Sequence, residues 1–301
     1  ARHWGKKVYW IDTKFENSYI PTGDELRKAY SDAVKQGMKP KIIILNYPNN
    51  PTGFIPSRAK LKALVLVCKE LGLTIVSDEL YLQLCYEKKD AISPAEFYPE
   101  GTIVVGGISK FLSVAGWRIG WVVTPQTDEG GKLAGILKAL ASDVWSNVST
   151  AIQYAVAEYL ENADYTKYIT LNTKLHELRN KKIYSELKKA GLKAIEPNAG
   201  FYIYLNLENQ REKLEKSGVK NGLDLQQYML AKYKIACLSG VNFGEKSDSR
   251  TLRLSTSFLD CNDSYQAEKL WREYMQINNT EYKLNAKSYE EINMLLSQFL
   301  D

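Results

Sequence analysis

Short runs of apolar residues alternate with amphipathic stretches along the first half of the chain. KIIILNY at 41–47, TIVSDE at 74–79 and TIVVGG at 102–107 are rich in β-branched residues, which predicts three strands. Between the first two, SRAKLKALVLVCKELG at 57–72 has its apolar residues at helical spacing. Continuous apolar runs are typical of strands buried on both faces, so the alternation predicts βαβ units and a mostly parallel sheet.

The pattern becomes helical from about Val144. Apolar residues recur on common faces through 149–190, which predicts one or two long helices. FYIYLNL at 201–207 and TLRLSTSF at 251–258 then predict strands of a second, smaller α+β domain.

We therefore expect two domains in this chain of 301 residues. The α/β domain, with the start of an interdomain helix, covers 1–165, and the smaller C-terminal domain covers 166–301. The chain begins with Ala-Arg-His, a few residues before the strand-like KKVYWID at 6–12. This start predicts that the α/β domain is incomplete at its N-terminus.

Composition excludes several classes of protein. The net charge is only +5 and the lysines are interspersed with acidic residues, so we expect no nucleic-acid partner. No apolar run is long enough to cross a membrane, and we expect no signal peptide before the fold. The cysteines form no CxxC pair, which indicates reduced thiols and a cytoplasmic protein. They are Cys68, Cys85, Cys237 and Cys261.

Only two histidines are present, His3 and His176. Two histidines are too few for most histidine-based metal sites and make a Ser-His-Asp triad improbable, and we predict no metal. Acid–base chemistry in this chain therefore falls to lysine, tyrosine or a carboxylate.

Polar side chains follow each predicted strand of the first half. Asn50 lies in NNPTG after IIIL, Asp78 ends TIVSD with Tyr81 three residues later, and Lys110 follows TIVVGGIS. Ligands of open parallel sheets bind outside the carboxyl ends of the strands, so these side chains can meet in one crevice. Each has a structural alternative, such as a turn at Asn50, a cap at Asp78 or packing at Tyr81. One shared site explains all four positions together.

The motifs NYPNNPTG, SDELY and SKFLSVAGWRIGW, in this order and spacing, resemble the class I/II aminotransferases, pyridoxal-phosphate-dependent enzymes of fold type I. The resemblance continues in GFYIYLNL near residue 200 and in SGVNFGEKSDSRTLRLSTS at 239–257, so it covers nearly the whole chain. It implies a mostly parallel sheet with helices on both faces, a smaller C-terminal α+β domain, and an N-terminal portion that this chain lacks.

The resemblance also implies roles for the polar residues at the strand ends. Lys110 would form the resting Schiff base with the cofactor and then act as the base that moves a proton. Asp78 would face the pyridine nitrogen and keep it protonated. Tyr81 and Asn50 would donate hydrogen bonds to the 3′-oxygen of the ring.

Two further residues are assigned to the phosphate of the cofactor. Arg118 offers a planar fork for it, and Ser109 offers a hydroxyl next to the catalytic lysine. Many relatives have a hydroxyl residue three positions before the lysine, where this chain has Gly107. The phosphate site would therefore depend more on Ser109 or on backbone amides.

Arg253 in LRLSTS matches the family arginine that binds the α-carboxylate of the substrate, with Asn50 beside it. Arg250 precedes the strand, and we expect it to be a solvated loop charge. Asn147 and Ser149 resemble a segment near the dimer interface and the cofactor.

The function implied is transfer of an amino group between an amino acid and a 2-oxo acid by a homodimer. Two alternatives stay open at this point. A pyridoxal-phosphate lyase, such as a carbon–sulfur lyase or an enzyme like cyclopropane-carboxylate synthase, would share the same motifs. A truncated, non-catalytic remnant would keep only the fold. Because the N-terminal portion is absent, we expect this chain alone to bind the cofactor poorly and to have little or no activity.

Overall fold

The computed structural model describes residues 2–161 and 164–257, together with Tyr265, Lys269 and Arg272. The described residues form two compact units. The first contains the chain up to Pro48 and then Ile55–Ile169. The second contains the short segment Asn49–Phe54 and the described residues from Thr170 onward. The predicted domain boundary at 165/166 stays a prediction.

A four-stranded sheet with strand order β1-β2-β3-β4 forms the centre of the first unit. Three parallel strands are followed by an antiparallel one. The register pairs Asn46 with Asp78, and Asp78 with Val105, so the carboxyl ends of the parallel strands lie side by side. The strands are β1 (Ile42–Asn46), β2 (Thr74–Asp78), β3 (Thr102–Gly107) and β4 (Gly120–Val123).

Two helices of this unit begin at side-chain caps. Thr22 and Glu25 form a capping box, in which the Thr22 hydroxyl accepts from the Glu25 amide at 3.2 Å. Thr127 accepts from the Gly130 amide at 3.1 Å in the same way. The helices are α1 (Gly23–Lys35), α2 (Arg58–Glu70), α3 (Asp128–Trp145), α4 (Thr150–Glu161) and the start of α5 (Asp164–Lys189).

Only one face of β1 is buried. Ile43 and Leu45 belong to the core, whereas Ile42 and Ile44 are 61% and 69% exposed. The prediction that this strand is buried on both faces is therefore wrong for the described residues. An unbroken apolar run indicates a strand, but it cannot show whether a second layer covers it.

Other predicted elements agree with the structure to different degrees. The long helices predicted over 149–190 are confirmed as α4 and α5. Helix α3 begins sixteen residues before Val144, where we expected helix to start, and its KLAGILKALA stretch does have helical spacing. Residues 6–12 form no strand. No described helix combines the length and apolar character needed to cross a bilayer.

The second unit is built on an antiparallel sheet with strand order β5-β6-β8-β7. Ile203, Leu205 and Leu252 point to one face and form a core with side chains of α5 and α7. The α/β fold with a smaller α+β second part is confirmed. The elements are β5 (Lys193–Ala194), β6 (Tyr202–Asn206), α6 (Arg211–Lys216), α7 (Gly222–Tyr233), β7 (Leu238–Ser239) and β8 (Thr251–Ser255). Phe258 and Cys261 lie outside the described residues.

Candidate active site

Asp78 is the last residue of β2, at the carboxyl end of the parallel strands. Its Oδ1 accepts a hydrogen bond from the Leu80 amide at 3.2 Å, and its carbonyl accepts from the Tyr47 amide at 3.3 Å. The side chain is half-buried. The carboxylate thus has a fixed position at the strand end and keeps part of its surface accessible.

Glu79 fastens the turn that carries Asp78. The hydroxyls of Ser77 and Ser93 both donate to Glu79 Oε1, at 2.9 and 2.5 Å, and the Glu79 amide donates to the Val105 carbonyl at 2.9 Å. Burial raises the pKa of Glu79, although the two hydroxyls act in the opposite direction. This turn is therefore tied both to β3 and to the Ser93 segment.

Lys110 lies three residues past the end of β3 and is half-buried. Its Nζ is 5.8 Å from the centroid of the Tyr81 ring, and Tyr81 is buried. The pairing of β2 with β3 explains this approach, because both residues follow neighbouring strands at the same end of the sheet. The structure thus brings together two of the residues that the sequence predicted.

Gly107 ends β3 and explains one departure from the family pattern. A Cβ at this position would lie 3.0 Å from the Ile119 carbonyl oxygen and 3.1 Å from Leu80 Cδ1. Both distances are tighter than ordinary van der Waals contact. The backbone pairing of β3 with β4 therefore leaves little room for a hydroxyl side chain here, and Ser109 follows two residues later, half-buried beside Lys110.

Arg118 is exposed and adopts left-handed backbone angles, with φ of 57°. Its Nη1 donates to the Ala115 carbonyl at 2.8 Å. It lines an open cavity of about 530 Å³ whose walls include Trp117, Trp145, Asn147 and Ser149. The structure thus places Arg118 beside the 147–149 segment that the sequence associated with the same site.

Arg253 and Asn50 meet in the second unit. Arg253 Nη1 donates to Asn50 Oδ1 at 2.9 Å, although 203 residues separate them along the chain. The Arg253 Nε is buried and has no hydrogen-bond partner among the described residues. The guanidinium carbon lies 4.4 Å from the centroid of the Tyr202 ring and 5.2 Å from that of Phe243.

The turn Asn49–Phe54 positions Asn50. Asn49 Oδ1 accepts from the Thr52 amide at 3.2 Å, and the Gly53 amide donates to the Asn49 carbonyl at 2.8 Å. Gly53 has φ of +67°, and its carbonyl accepts from the amides of Asn198 and Ala199 at 3.0 and 3.1 Å. These bonds fasten the turn to the segment that enters β6.

Arg250 is fully buried, so the prediction of a solvated loop charge is wrong. Its guanidinium donates to the carbonyls of Val219, at 3.2 Å, and Asp248, and lies 3.5 Å from the Glu215 carboxylate. Its Nε also has no hydrogen-bond partner among the residues that the structure describes, but the enclosed side chain cannot meet a ligand. Arg250 therefore stabilises the fold, whereas Arg253 is only half-buried and keeps part of its surface accessible.

Sequence reasoning missed Tyr202 and Phe243. The signal available was the alternation in FYIY, which places Tyr202 and Tyr204 on one face of β6; Tyr204 pairs directly with Arg253 on β8. No sequence pattern indicates that Phe243 returns to the same arginine.

The predicted site residues fall into two groups. Asp78, Tyr81, Ser109, Lys110 and Arg118 belong to the first unit, and Asn50 and Arg253 belong to the second. A single crevice that joins both groups stays a prediction. Within the described residues, no three His, Cys, Asp or Glu side chains cluster closely enough to hold a metal ion.

Comparison with known proteins identifies relatives of this chain. A probable aspartate/prephenate aminotransferase of Aquifex aeolicus is 34% identical over 208 residues, which cover 68% of this chain and 50% of the relative. An aspartate aminotransferase of Geobacillus stearothermophilus is 33% identical over 254 residues, covering 82% of this chain and 59% of the relative. The chain thus spans between half and three-fifths of the length of these curated relatives.

A solved structure shares the fold. A mutant of Thermus thermophilus aspartate aminotransferase superimposes with a TM-score of 0.74 over 99% of this chain and 68% of its own, at 23% identity. The family model for aminotransferase class I and II matches residues 1–264. Members of that family generally depend on pyridoxal phosphate. The chain therefore belongs to the class I and II aminotransferases, as its motifs predicted.

Proposed function

We propose that this chain carries the cofactor- and substrate-binding residues of a pyridoxal-phosphate-dependent aminotransferase that moves an amino group between an amino acid and a 2-oxo acid. The observation that carries the proposal is the position of Lys110, whose ammonium lies 5.8 Å from the Tyr81 ring at the end of two parallel strands. Asp78 ends one of those strands.

The residues present fit the cofactor by their chemistry. Lys110 supplies a primary amine for an aldehyde, Tyr81 a phenol that can donate to a ring oxygen, and Asp78 an anion for a ring nitrogen. Arg118 supplies a guanidinium with one N–H on the Ala115 carbonyl, and its remaining donors suit a phosphate.

When bound, pyridoxal phosphate supplies an aldehyde and a ring that accepts the electron pair left on the substrate Cα. The protein supplies positions and protons. Lys110 would take the proton from the substrate Cα and deliver it to the carbon that carried the cofactor's aldehyde, which requires an amine that is neutral when it accepts the proton. Asp78 would favour the protonated ring nitrogen, because a carboxylate beside a cation stabilises it.

Arg253 is proposed to bind the α-carboxylate of both substrates. Asn50 occupies its Nη1, and the buried Nε has no described partner. An unsatisfied buried donor is costly, so a carboxylate that accepts from it gains affinity.

The names of the relatives suggest which substrates to test first. The two curated relatives described above are named for aspartate and for aspartate or prephenate. We propose aspartate as the first amino donor and 2-oxoglutarate as its acceptor. The proposal includes a cytoplasmic location, which cysteines without a CxxC pair support, and a homodimer, which the family resemblance implies.

The test maps the cofactor to a residue and does not depend on turnover. The purified chain is mixed with pyridoxal phosphate, reduced with borohydride and digested, and the label is located by mass spectrometry. We expect the label on Lys110 and its loss in Lys110→Ala. Lys138→Ala, at an exposed lysine on α3, serves as the matched control. Uniform labelling of surface lysines would overturn the assignment.

Turnover is then measured with aspartate and 2-oxoglutarate. Formation of glutamate that depends on the oxo acid supports the aminotransferase. Release of ammonia and a 2-oxo acid without an acceptor would indicate a lyase instead. Labelling of Lys110 without either reaction would indicate a chain that binds the cofactor but is not catalytic by itself.

A further inference from the structure

Arg253 has no acidic partner within the part of the chain that the structure describes. Among the described residues, no carboxylate lies within ion-pair distance of it, and its hydrogen bond is to the neutral amide of Asn50. A half-buried guanidinium without an anion is costly unless other groups stabilise it. Two aromatic rings take that place, since Tyr202 and Phe243 both lie within 5.2 Å of the guanidinium carbon.

Aromatic rings stabilise a cation in a way that carboxylates cannot. The attraction acts between the charge and the electron-rich ring face, so the ring occupies no N–H donor in a conventional hydrogen bond. A carboxylate in the same place would accept hydrogen bonds from the guanidinium of Arg253 and compete with an anionic ligand. The rings also restrict a long side chain that otherwise has many rotamers.

The fold holds both rings in place. Tyr202 is buried on β6, and its carbonyl accepts from Asn180 Nδ2 at 3.4 Å. Phe243 ends a short 3₁₀ turn, Gly240–Phe243, in which Ser239 Oγ accepts from the Val241 amide at 3.3 Å. The rings are therefore attached to two different segments that meet at Arg253.

Gly240 brings the Phe243 turn close to the sheet. A Cβ at Gly240 would overlap Thr251 Oγ1 and the Tyr204 hydroxyl. The Tyr204 hydroxyl in turn donates to Thr251 Oγ1 at 3.1 Å. Tyr204 and Thr251 lie on the same sheet face as Arg253, so this contact sets the height of the turn above the arginine.

We propose that Tyr202 and Phe243 are positioning residues that orient Arg253 without neutralising it, so that the charge is reserved for a ligand carboxylate. The proposal rests on the proposed role of Arg253 in carboxylate binding. It predicts that loss of either ring weakens carboxylate binding although neither ring needs to touch the carboxylate.

The experiment measures binding of 3-phenylpropanoate to the chain loaded with pyridoxal phosphate, with 3-phenylpropanamide as the uncharged control. Tyr202→Leu and Phe243→Leu remove a ring, and Tyr202→Phe keeps it. Cation–π contacts of about 0.5–2 kcal/mol correspond to a rise in Kd of roughly 2- to 30-fold for each ring lost. We expect Tyr202→Phe to stay within about twofold of the unmodified chain, since its ring remains.

A structural readout accompanies the titration. The Arg253 Nε–H resonance, assigned by its absence in Arg253→Lys, should move when either ring is removed and stay in place in Tyr202→Phe. Equal losses of affinity for the acid and the amide would indicate a general packing defect and overturn the positioning role. Unchanged carboxylate affinity in a folded Phe243→Leu would also overturn it.

The Arg253→Lys variant separates this inference from the proposed function. If Arg253→Lys binds the acid as well as the unmodified chain, the carboxylate role of Arg253 is wrong and the rings have nothing to position. If Arg253→Lys loses affinity while both leucine variants keep it, the carboxylate role stands and the role of the rings is refuted.

Discussion

Replacing Gly53 by alanine should both destabilise the second unit and weaken its proposed carboxylate site. Gly53 has φ of +67°, and an added Cβ would overlap the Tyr202 carbonyl oxygen while lying 3.2 Å from Pro197 Cβ. A left-handed conformation costs a non-glycine residue about 1–2 kcal/mol. Forcing a methyl group into filled space costs about 1–3 kcal/mol more, so we expect a total of about 2–5 kcal/mol.

Gly191 provides the matched control, because it isolates the conformational cost. It belongs to the same unit and has φ of +74°, but a Cβ there would meet nothing within 4 Å. Gly191→Ala should therefore cost only the left-handed strain of about 1–2 kcal/mol. The difference between the two variants measures the overlap with Tyr202.

The assay is thermal unfolding of both variants under one set of conditions, followed by titration with 3-phenylpropanoate. At about 2–4 °C for each kcal/mol, Gly53→Ala should unfold several degrees below Gly191→Ala. The displaced turn should also remove the Asn50 bond to Arg253, and a bond to a charged group is worth about 1.5–3 kcal/mol, or roughly 10- to 150-fold in affinity. Equal melting temperatures and equal affinities in the two variants would refute the reasoning.

Three further predictions concern Asp78, Arg250 and His176. Asp78→Asn keeps an oxygen that can accept from the Leu80 amide but removes the negative charge. The turnover rate should therefore fall tenfold or more, since each tenfold corresponds to about 1.4 kcal/mol. A rate within twofold of that of the unmodified chain contradicts the assignment. Arg250→Met should cost about 2–4 kcal/mol in urea unfolding, because it leaves the Val219 carbonyl without its guanidinium donor, and it should leave borohydride labelling of Lys110 unchanged. Lys189→Met, at an exposed ion pair with Glu186, should change the stability much less. Burial lowers the pKa of His176 to about 3 in the folded chain, and the nearby Arg179 adds to this, so as the pH falls the unfolded chain takes up the proton at a higher pH than the folded chain. The contribution of the neutral His176 to the free energy of unfolding is fully present above about pH 6.5 and falls by about 2 kcal/mol by pH 5. Urea unfolding should not find this loss in His176→Leu.

Local sequence patterns predicted the strands and the polar residues at their ends because both depend on short-range periodicity. TIVVGG matches β3 residue for residue, and Asp78 ends β2 as expected. The antiparallel β4 was missed since four residues, Gly120–Val123, give too short a run to show a period. The exposure of Ile42 was not predictable, because it depends on what covers the sheet and not on the strand itself.

The wrong prediction for Arg250 and the missed ring beside Arg253 have the same physical origin. In both cases, residues distant in sequence determine what surrounds the charged side chain. Arg250 looked solvated because its flanks, SDSR, are polar, yet Val219 lies 31 positions away and accepts from it. The Tyr202 ring beside Arg253 is 51 positions away in the chain, and only the register of β6 against β8 brings the two together. The motifs predicted the candidate residues, and the register of the sheet determines which side chains surround them.

The path of the chain limits how evolution can exchange its parts. The second unit is assembled from two stretches, Asn49–Phe54 and the residues from Thr170 onward, so one recombination crossover cannot transfer it whole. A crossover near Thr170 would combine a foreign Tyr202 carbonyl with the resident Gly53, and a foreign arginine with the resident Asn50. The two stretches should therefore be inherited as a matched pair, and chimaeras that join mismatched parents at this point should lose the carboxylate site even where each half folds.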